Sequence, residues 1–290
     1  MSPSMQHTIE HPVSVAGFGY WSGEDIRVDF RPARAGTGIV FVRGDMGPKA
    51  RVSALVENRI DVPRRTNLQC GDVRVEMVEH ILAALSGLQI DNCEVWVDQA
   101  EMPGCDGSAM AFVDALDKAR RVRQEAFVAQ IKVTETIRVT EGDQWVEARP
   151  VVGGGCLVEY HLDYPHAPIL GRQSAKFAIT PEVFRREIAP CRTFVLEREA
   201  NQMIKQGLGK RVTPRDLLLY SDTGLIDNQL HFENECARHK GLDLVGDLAL
   251  VGCQLEGHFV ASRSGHQLNA LAAKSIIERF STKHTLRKTA

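Results

Sequence analysis

The residues of this chain with the clearest capacity for chemistry lie in three places. His239 and Asp243, in RHKGLDLVGDL, are four apart. On a helix they project from one face, one turn above the other, as two ligands of a single metal need to. An imidazole and a carboxylate suit zinc, and Asp247, four residues further, extends the stripe and could orient another side chain. The same spacing also occurs as an ordinary His/Asp pair on an exposed helix. Glu79 and His80 are adjacent in the apolar stretch MVEHILAAL, where a carboxylate is costly to bury without a partner or a task. Two histidines, one carboxylate and a water form an open zinc site, with a nearby glutamate as the usual base for that water. Equally, Glu79 could be a first-turn residue favoured by the helix dipole, and His80 a satisfied surface histidine. The third place is His266 in SGHQLNAL, at an expected helix start, where it either meets an anion or acts as a cap. Thr193, in PCRTF, either donates a hydroxyl to an oxyanion or is a plain β-branched strand residue.

The elements that must position these groups are legible as changes of period. Residues 12–43 alternate apolar and polar positions between Gly-rich turns, predicting half-buried strands. From Met77 the period becomes helical through Val78, Ile81, Leu82, Leu85 and Leu88, with Gly87 where helices often stop. A strand (NCEVWVD), a loop (EMPGCDGS) and a helix (AMAFVDALDKA) follow, Asp106 and Ser108 being the expected caps. Residues 117–130, charged and without a clear strand pattern, are read as the boundary between two domains, 1–125 and 126–290. Beyond it the order recurs: strands IKVTETIRVT, QWVEARP and CLVEYHLDY, a helical region, a helix at 233–250, the strand HFVASR, the loop SGH and the helix LNALAAKSIIERF. Each half thus places a histidine on a helix, followed by a strand, a Gly-containing loop and a closing helix, an architectural repeat with weak sequence identity. Residues 196–225 read as an insertion, helical at first, with Gly207, Gly209, Lys210 and Arg211 in its middle. The basic tail STKHTLRKTA is expected to fray.

Composition bounds the rest. With 290 residues, 43% of them hydrophobic and 25% charged, the chain is globular and long enough for one large or two ordinary domains. A formal charge of −2 gives no global attraction to nucleic acid or an anionic membrane, so an anionic ligand needs a local basic patch. The 7 cysteines are scattered and never in a CxxC pair, arguing against a disulfide framework or a four-thiolate zinc site. Without a signal-like amino terminus or an apolar run of spanning length, the expected compartment is the cytoplasm, and the expected state a monomer.

The segments VEHILAALSGLQIDN, DGSAMAF, RTF, FENE…RHKGLDLVGDL and SGHQLN resemble the motifs of the UDP-3-O-(3-hydroxyacyl)-N-acetylglucosamine deacetylases, zinc enzymes that commit the pathway to lipid A, over about residues 7 to 280. The resemblance implies an α+β fold of two similar domains, each a layered β-sheet and helix sandwich, with zinc in the cleft between them. It implies His80, His239 and Asp243 as metal ligands, Glu79 as general base and His266 as general acid or charge stabiliser. Asp247 would hold His266, Thr193 assist the oxyanion, Lys240 contact substrate and Phe194 pack beside the sugar. Arg192, Lys210, Arg211 and Arg263 are further cations for the diphosphate of an acylated UDP-amino sugar, whose acyl chain would make only transient lipid-like contact. Iron(II) suits the same ligands as zinc. The chain departs from the family pattern at Trp21, Glu76, Met77, Ala111 and KRVTPRD, positions bearing on specificity more than catalysis. The alternative readings are a paralogous zinc deacylase acting on a different N-acyl amino sugar or sugar nucleotide, and a sugar-nucleotide binder without catalysis.

Overall fold

A computed structural model describes residues 4–281. Two mixed β-sheets carry the architecture, and their strands are connected in the same way. In the first, the spatial order is Val13–Phe18, Asp25–Pro32, Cys93–Val97, Ile39–Arg43 and Arg51–Ser53. In the second it is Ile137–Glu141, Gln144–Arg149, Gln254–Ser262, Cys156–Asp163 and Arg172–Ala178. The chain-late central strand of each, Cys93–Val97 or Gln254–Ser262, runs antiparallel to one of these neighbours and parallel to the other, and Gln254–Ser262 also pairs in parallel with a further strand, Gln130–Lys132, that the first sheet lacks. A parallel neighbour requires a crossover, and in each half that crossover contains a helix. The repeat expected from the order of elements is therefore present as identical strand order and polarity.

The helices are α1 (Glu79–Gly87), α2 (Met110–Ala119), the short α3 (Pro181–Val183), which continues as a π-helical turn over Phe184–Ile188, α4 (Glu197–Lys205), α5 (Glu235–Leu248) and α6 (His266–Phe280). Every residue of α1 except Ser86 is buried, and of α5 only Arg238 and Lys240 are not. Helices buried on all sides belong at the centre of a fold, and these two pack against each other. α2 closes the first half over α1, and α6 closes the second over α5. In the first sheet Ile26, Val28, Phe30, Phe41 and Val95 turn inward, with Phe30 meeting Phe112 of α2 edge to face at 6.2 Å.

Several expectations are corrected. Residues 121–127, read as a boundary without a strand pattern, form a strand, Arg121–Phe127, antiparallel to Met5–Ile9. Its alternating residues are exposed and half-buried, never fully buried, so it lacks the apolar face that pattern reading looks for. Arg172–Ala178, within the stretch expected to be helical, is an edge strand paired with Cys156–Asp163. Gly87 is the last residue of α1, and its missing side chain matters for packing: a Cβ there would lie 2.2 Å from the Phe184 ring. Ser108 accepts a hydrogen bond from Met110 N–H (3.1 Å), as a cap does, whereas Asp106 accepts from Ser108 N–H and Oγ. The tail expected to fray, beyond Ser281, lies outside the described residues. Among them no helix is long and apolar enough to cross a membrane.

The crossing of α1 and α5 is set by Gly246. A Cβ at that position would lie 2.2 Å from the Glu79 carbonyl oxygen, a backbone atom that cannot swing away. Gly246→Ala is expected to force the helices apart and destabilise the protein by about 1–3 kcal/mol, as overpacked core substitutions do. Urea unfolding would measure the loss.

Candidate metal centre and the buried acid–base pair

Where α1 and α5 cross, His80 from one meets His239 and Asp243 from the other. All three are buried, their ligand atoms lie within 4.8 Å of one another, and the group could hold a metal ion. The imidazole Nε2 atoms of His239 and His80 stand 3.4 and 3.6 Å from Asp243 Oδ1. That oxygen is buried and has no hydrogen-bond partner among the described residues. An orphaned carboxylate oxygen facing two ring nitrogens is what a divalent cation would satisfy. His239 Nδ1–H donates to the Cys191 carbonyl (3.0 Å), which fixes the tautomer and turns the Nε2 lone pair toward the group. Burial lowers the His239 pKa to about 4, keeping the ring neutral, as a ligand must be. Burial opposes ionisation of Asp243, but Lys240, whose Nζ donates to Oδ2 (2.9 Å), and His239 outweigh it and hold the carboxyl well below its usual range.

Beside this triad lies a second buried set. One Glu79 oxygen, Oε2, accepts a hydrogen bond from Thr66 N–H (2.9 Å), and the other, Oε1, lies 4.0 Å from His266 Nε2. Burial raises the Glu79 pKa. His266 Nδ1–H donates to Asp247 Oδ2 (2.9 Å), which also accepts from Asn269 Nδ2 (2.8 Å), while Asp247 Oδ1 accepts from Thr66 Oγ1 (2.5 Å). Burial disfavours the imidazolium, yet Asp247 more than compensates and the His266 pKa rises to about 9. A carboxylate made more basic and a histidine held protonated, facing each other across 4.0 Å, can accept and return a proton.

Of the other residues named from sequence, Phe194 meets Tyr164 edge to face at 5.6 Å and carries Lys240 Nζ 5.9 Å from its ring centroid. Thr193 follows Cys191 by two residues, and its N–H donates to the Gly107 carbonyl (2.8 Å), tying it to the DGS loop. Lys210 is exposed and has no ion-pair partner among the described residues. Arg192 is not available to a diphosphate: it is buried, bound to Glu235 through Nε (2.8 Å) and Nη2 (3.2 Å), to Asn228 Oδ1 and to the Gln229 carbonyl. Arg263 is paired with Asp143, and Arg211 with Asp25 and the Gly23 carbonyl while stacking on Phe18.

Thr66, Asn67 and Asn269 escaped the sequence reading. Thr66 links Glu79 to Asp247, and Asn67 Oδ1 accepts from Met77 N–H (3.1 Å), steadying Met77 at φ 58° just ahead of α1. A left-handed, non-glycine residue two positions before a buried glutamate is strain held by its surroundings. Lone Thr and Asn residues in TNL and LNAL carry no spacing signal that could have singled them out.

The comparison with known proteins bears on what this arrangement is for. The model of the UDP-3-O-acyl N-acetylglycosamine deacetylase family matches residues 6–278. The chain belongs to that family. A UDP-3-O-acyl-N-acetylglucosamine deacetylase of Chlamydia caviae is 36% identical over 274 residues, covering 94% of this chain and 97% of the relative. One of Brucella ovis is 35% identical over 274 residues, covering 94% and 95%. The α+β fold expected of these deacetylases is the fold described above.

The raised His266 pKa has a definite sign. A histidine whose folded value, about 9, exceeds the ordinary 6.5 stabilises the protein fully below pH 6.5 and loses that contribution as pH rises through 9. In metal-free protein, NMR titration should place His266 near that value, and Asp247→Asn should lower it, since burial still disfavours the imidazolium while only the weaker attractions of Glu79 and Asp243 remain. Metal analysis should find one divalent ion per chain, and none in a folded His239→Ala variant.

Proposed function

We propose that the chain is a zinc-dependent hydrolase that removes the N-acetyl group of UDP-3-O-(3-hydroxyacyl)-N-acetylglucosamine, the committed step of lipid A biosynthesis. On this reading it works in the cytoplasm as a monomer, with 1–125 and 126–290 as its two domains, and iron(II) could occupy the same ligands. The observation that carries it is the pairing of a three-ligand group on α1 and α5 with the buried Glu79–His266 couple beside it. The substrate class comes from the printed names of the relatives.

His80, His239 and Asp243 would hold a divalent cation, which would supply Lewis acidity to a bound water and to the amide carbonyl. Glu79 accepts the water's proton at Oε1, the oxygen left free by the Thr66 bond. The Thr193 hydroxyl donates to the carbonyl oxygen as it gains charge. His266, charged at neutral pH, steadies or protonates the departing amine from Nε2, and Asp247 keeps the ring turned toward it. Acetate and the free 2-amino sugar leave. Lys240 and Phe194 form a cation-and-ring surface for the sugar, and Lys210 and Arg263 remain for the diphosphate where the buried Arg192 does not. Ile204 of α4, 49% exposed, gives the insertion an apolar contact for the acyl chain.

Zinc-loaded protein is expected to release acetate from the acylated substrate and not from its unacylated counterpart. Glu79→Ala should lower kcat about 10²–10⁴-fold, the range of a lost general base, with the fold retained. A folded, zinc-loaded protein that released no acetate would overturn the reading.

A further inference from the structure

Arg65 immediately precedes Thr66, the residue that bonds both Glu79 and Asp247, so its backbone is fixed one position from the buried acid–base couple. Its guanidinium is engaged on one side only: Nη2 lies 3.0 Å from Glu76 Oε2. Glu76 is shared, its Oε1 lying 2.8 Å from Arg74 Nε. Two guanidinium groups on one carboxylate leave a positive charge uncompensated within the trio. The remaining nitrogens of Arg65, Nε and Nη1, are buried and have no hydrogen-bond partner among the described residues. An aromatic ring lies beside the group, with Arg65 Cζ 4.2 Å from the centroid of Trp21.

Stacking on a ring offsets part of the desolvation of a guanidinium but replaces neither missing bond. The Trp21 backbone is held independently: its N–H donates to Glu101 Oε1 (2.9 Å), and Ser22 N–H to Glu101 Oε2 (2.8 Å). The turn is therefore held by bonds that a rotation of the ring would not break. What would then be uncovered is a cation with two free donors, and the ligand chemistry that fits is a phosphate oxygen.

We propose that Arg65 is an anion-binding residue beside this site, that the Trp21 ring is its movable cover, and that it takes phosphate oxygens of the sugar-nucleotide substrate. The last part rests on the function proposed above; the anion site itself does not. Arg65 would thus add to recognition of the nucleotide end, where Arg192 is already bound to Glu235.

The test is binding to the metal-free full chain, measured by calorimetry with UDP, inorganic pyrophosphate and orthophosphate, with tryptophan fluorescence followed in parallel. UDP and pyrophosphate should bind more tightly than orthophosphate and change the fluorescence, and the change should vanish in Trp21→Phe. Arg65→Met, which keeps most of the apolar stem, should weaken both by about tenfold or more, and Arg65→Lys should recover part of that. Trp21→Ala should bind at least as tightly as the parent, because the cover is gone. A folded Arg65→Met protein, matched to the parent in near-UV circular dichroism, that bound UDP and pyrophosphate unchanged would overturn the proposal, as would a parent chain that bound neither. Orthophosphate bound as tightly as UDP would overturn the assignment to the nucleotide end. Because no turnover is measured, failure of the deacetylase reading and failure of this one give different results.

Discussion

Two helices can approach until their backbones touch only where one lacks a side chain, and α1 meets α5 in this way at Gly246. The glycine lies against the Glu79 carbonyl, so the peptide that carries Glu79 and His80 rests directly on the turn that carries Asp243 and Asp247. Distances across the site are thereby set by main-chain contact rather than by the reach of flexible side chains. A shift of an ångström at the crossing would move His80 relative to His239 and Asp243, and Glu79 relative to His266, together.

That geometry also explains how so many ionisable groups are tolerated out of water. Glu79, His80, His239, Asp243, Asp247 and His266 are all buried, and each carboxylate has a specific reason to be there. Thr66 N–H and His266 face Glu79; Lys240, His80 and His239 face Asp243; Thr66, Asn269 and His266 surround Asp247. Buried charge without such partners would be strongly destabilising. One Asp243 oxygen remains unmatched, and a cation is the partner its surroundings call for.

The sequence made much of this legible because period and spacing are local properties. The i, i+4 stripe of His239, Asp243 and Asp247 survives intact on α5, and the helical run after Met77 lies on α1. The repeated order of elements became two sheets of one topology. What stayed illegible depends on distant neighbours. Thr66 matters because of residue 247, and Arg192 is withdrawn from ligand binding because Glu235 lies beside it. The half-exposed ribbon of Arg121–Phe127 has no buried face to leave a trace in the pattern, and Gly87, which ends α1 where the sequence placed the stop, also makes room for the Phe184 ring, a need no local pattern shows. Burial can be inferred from periodicity, but pairing across the chain cannot.

The placement of the three candidate ligands on two elements far apart in the chain has a kinetic consequence. In a small zinc-folded domain, ligands a few residues apart let the ion gather an unfolded chain, so metal and structure arrive together. Here His80 must find His239 and Asp243 across a long intervening segment containing most of the second sheet. Closing a loop of that length is opposed by chain entropy and is rewarded only once the sheets and helices have formed. An ion would therefore enter an already assembled polypeptide, its uptake coming late in maturation and drawing its affinity from a framework built without it.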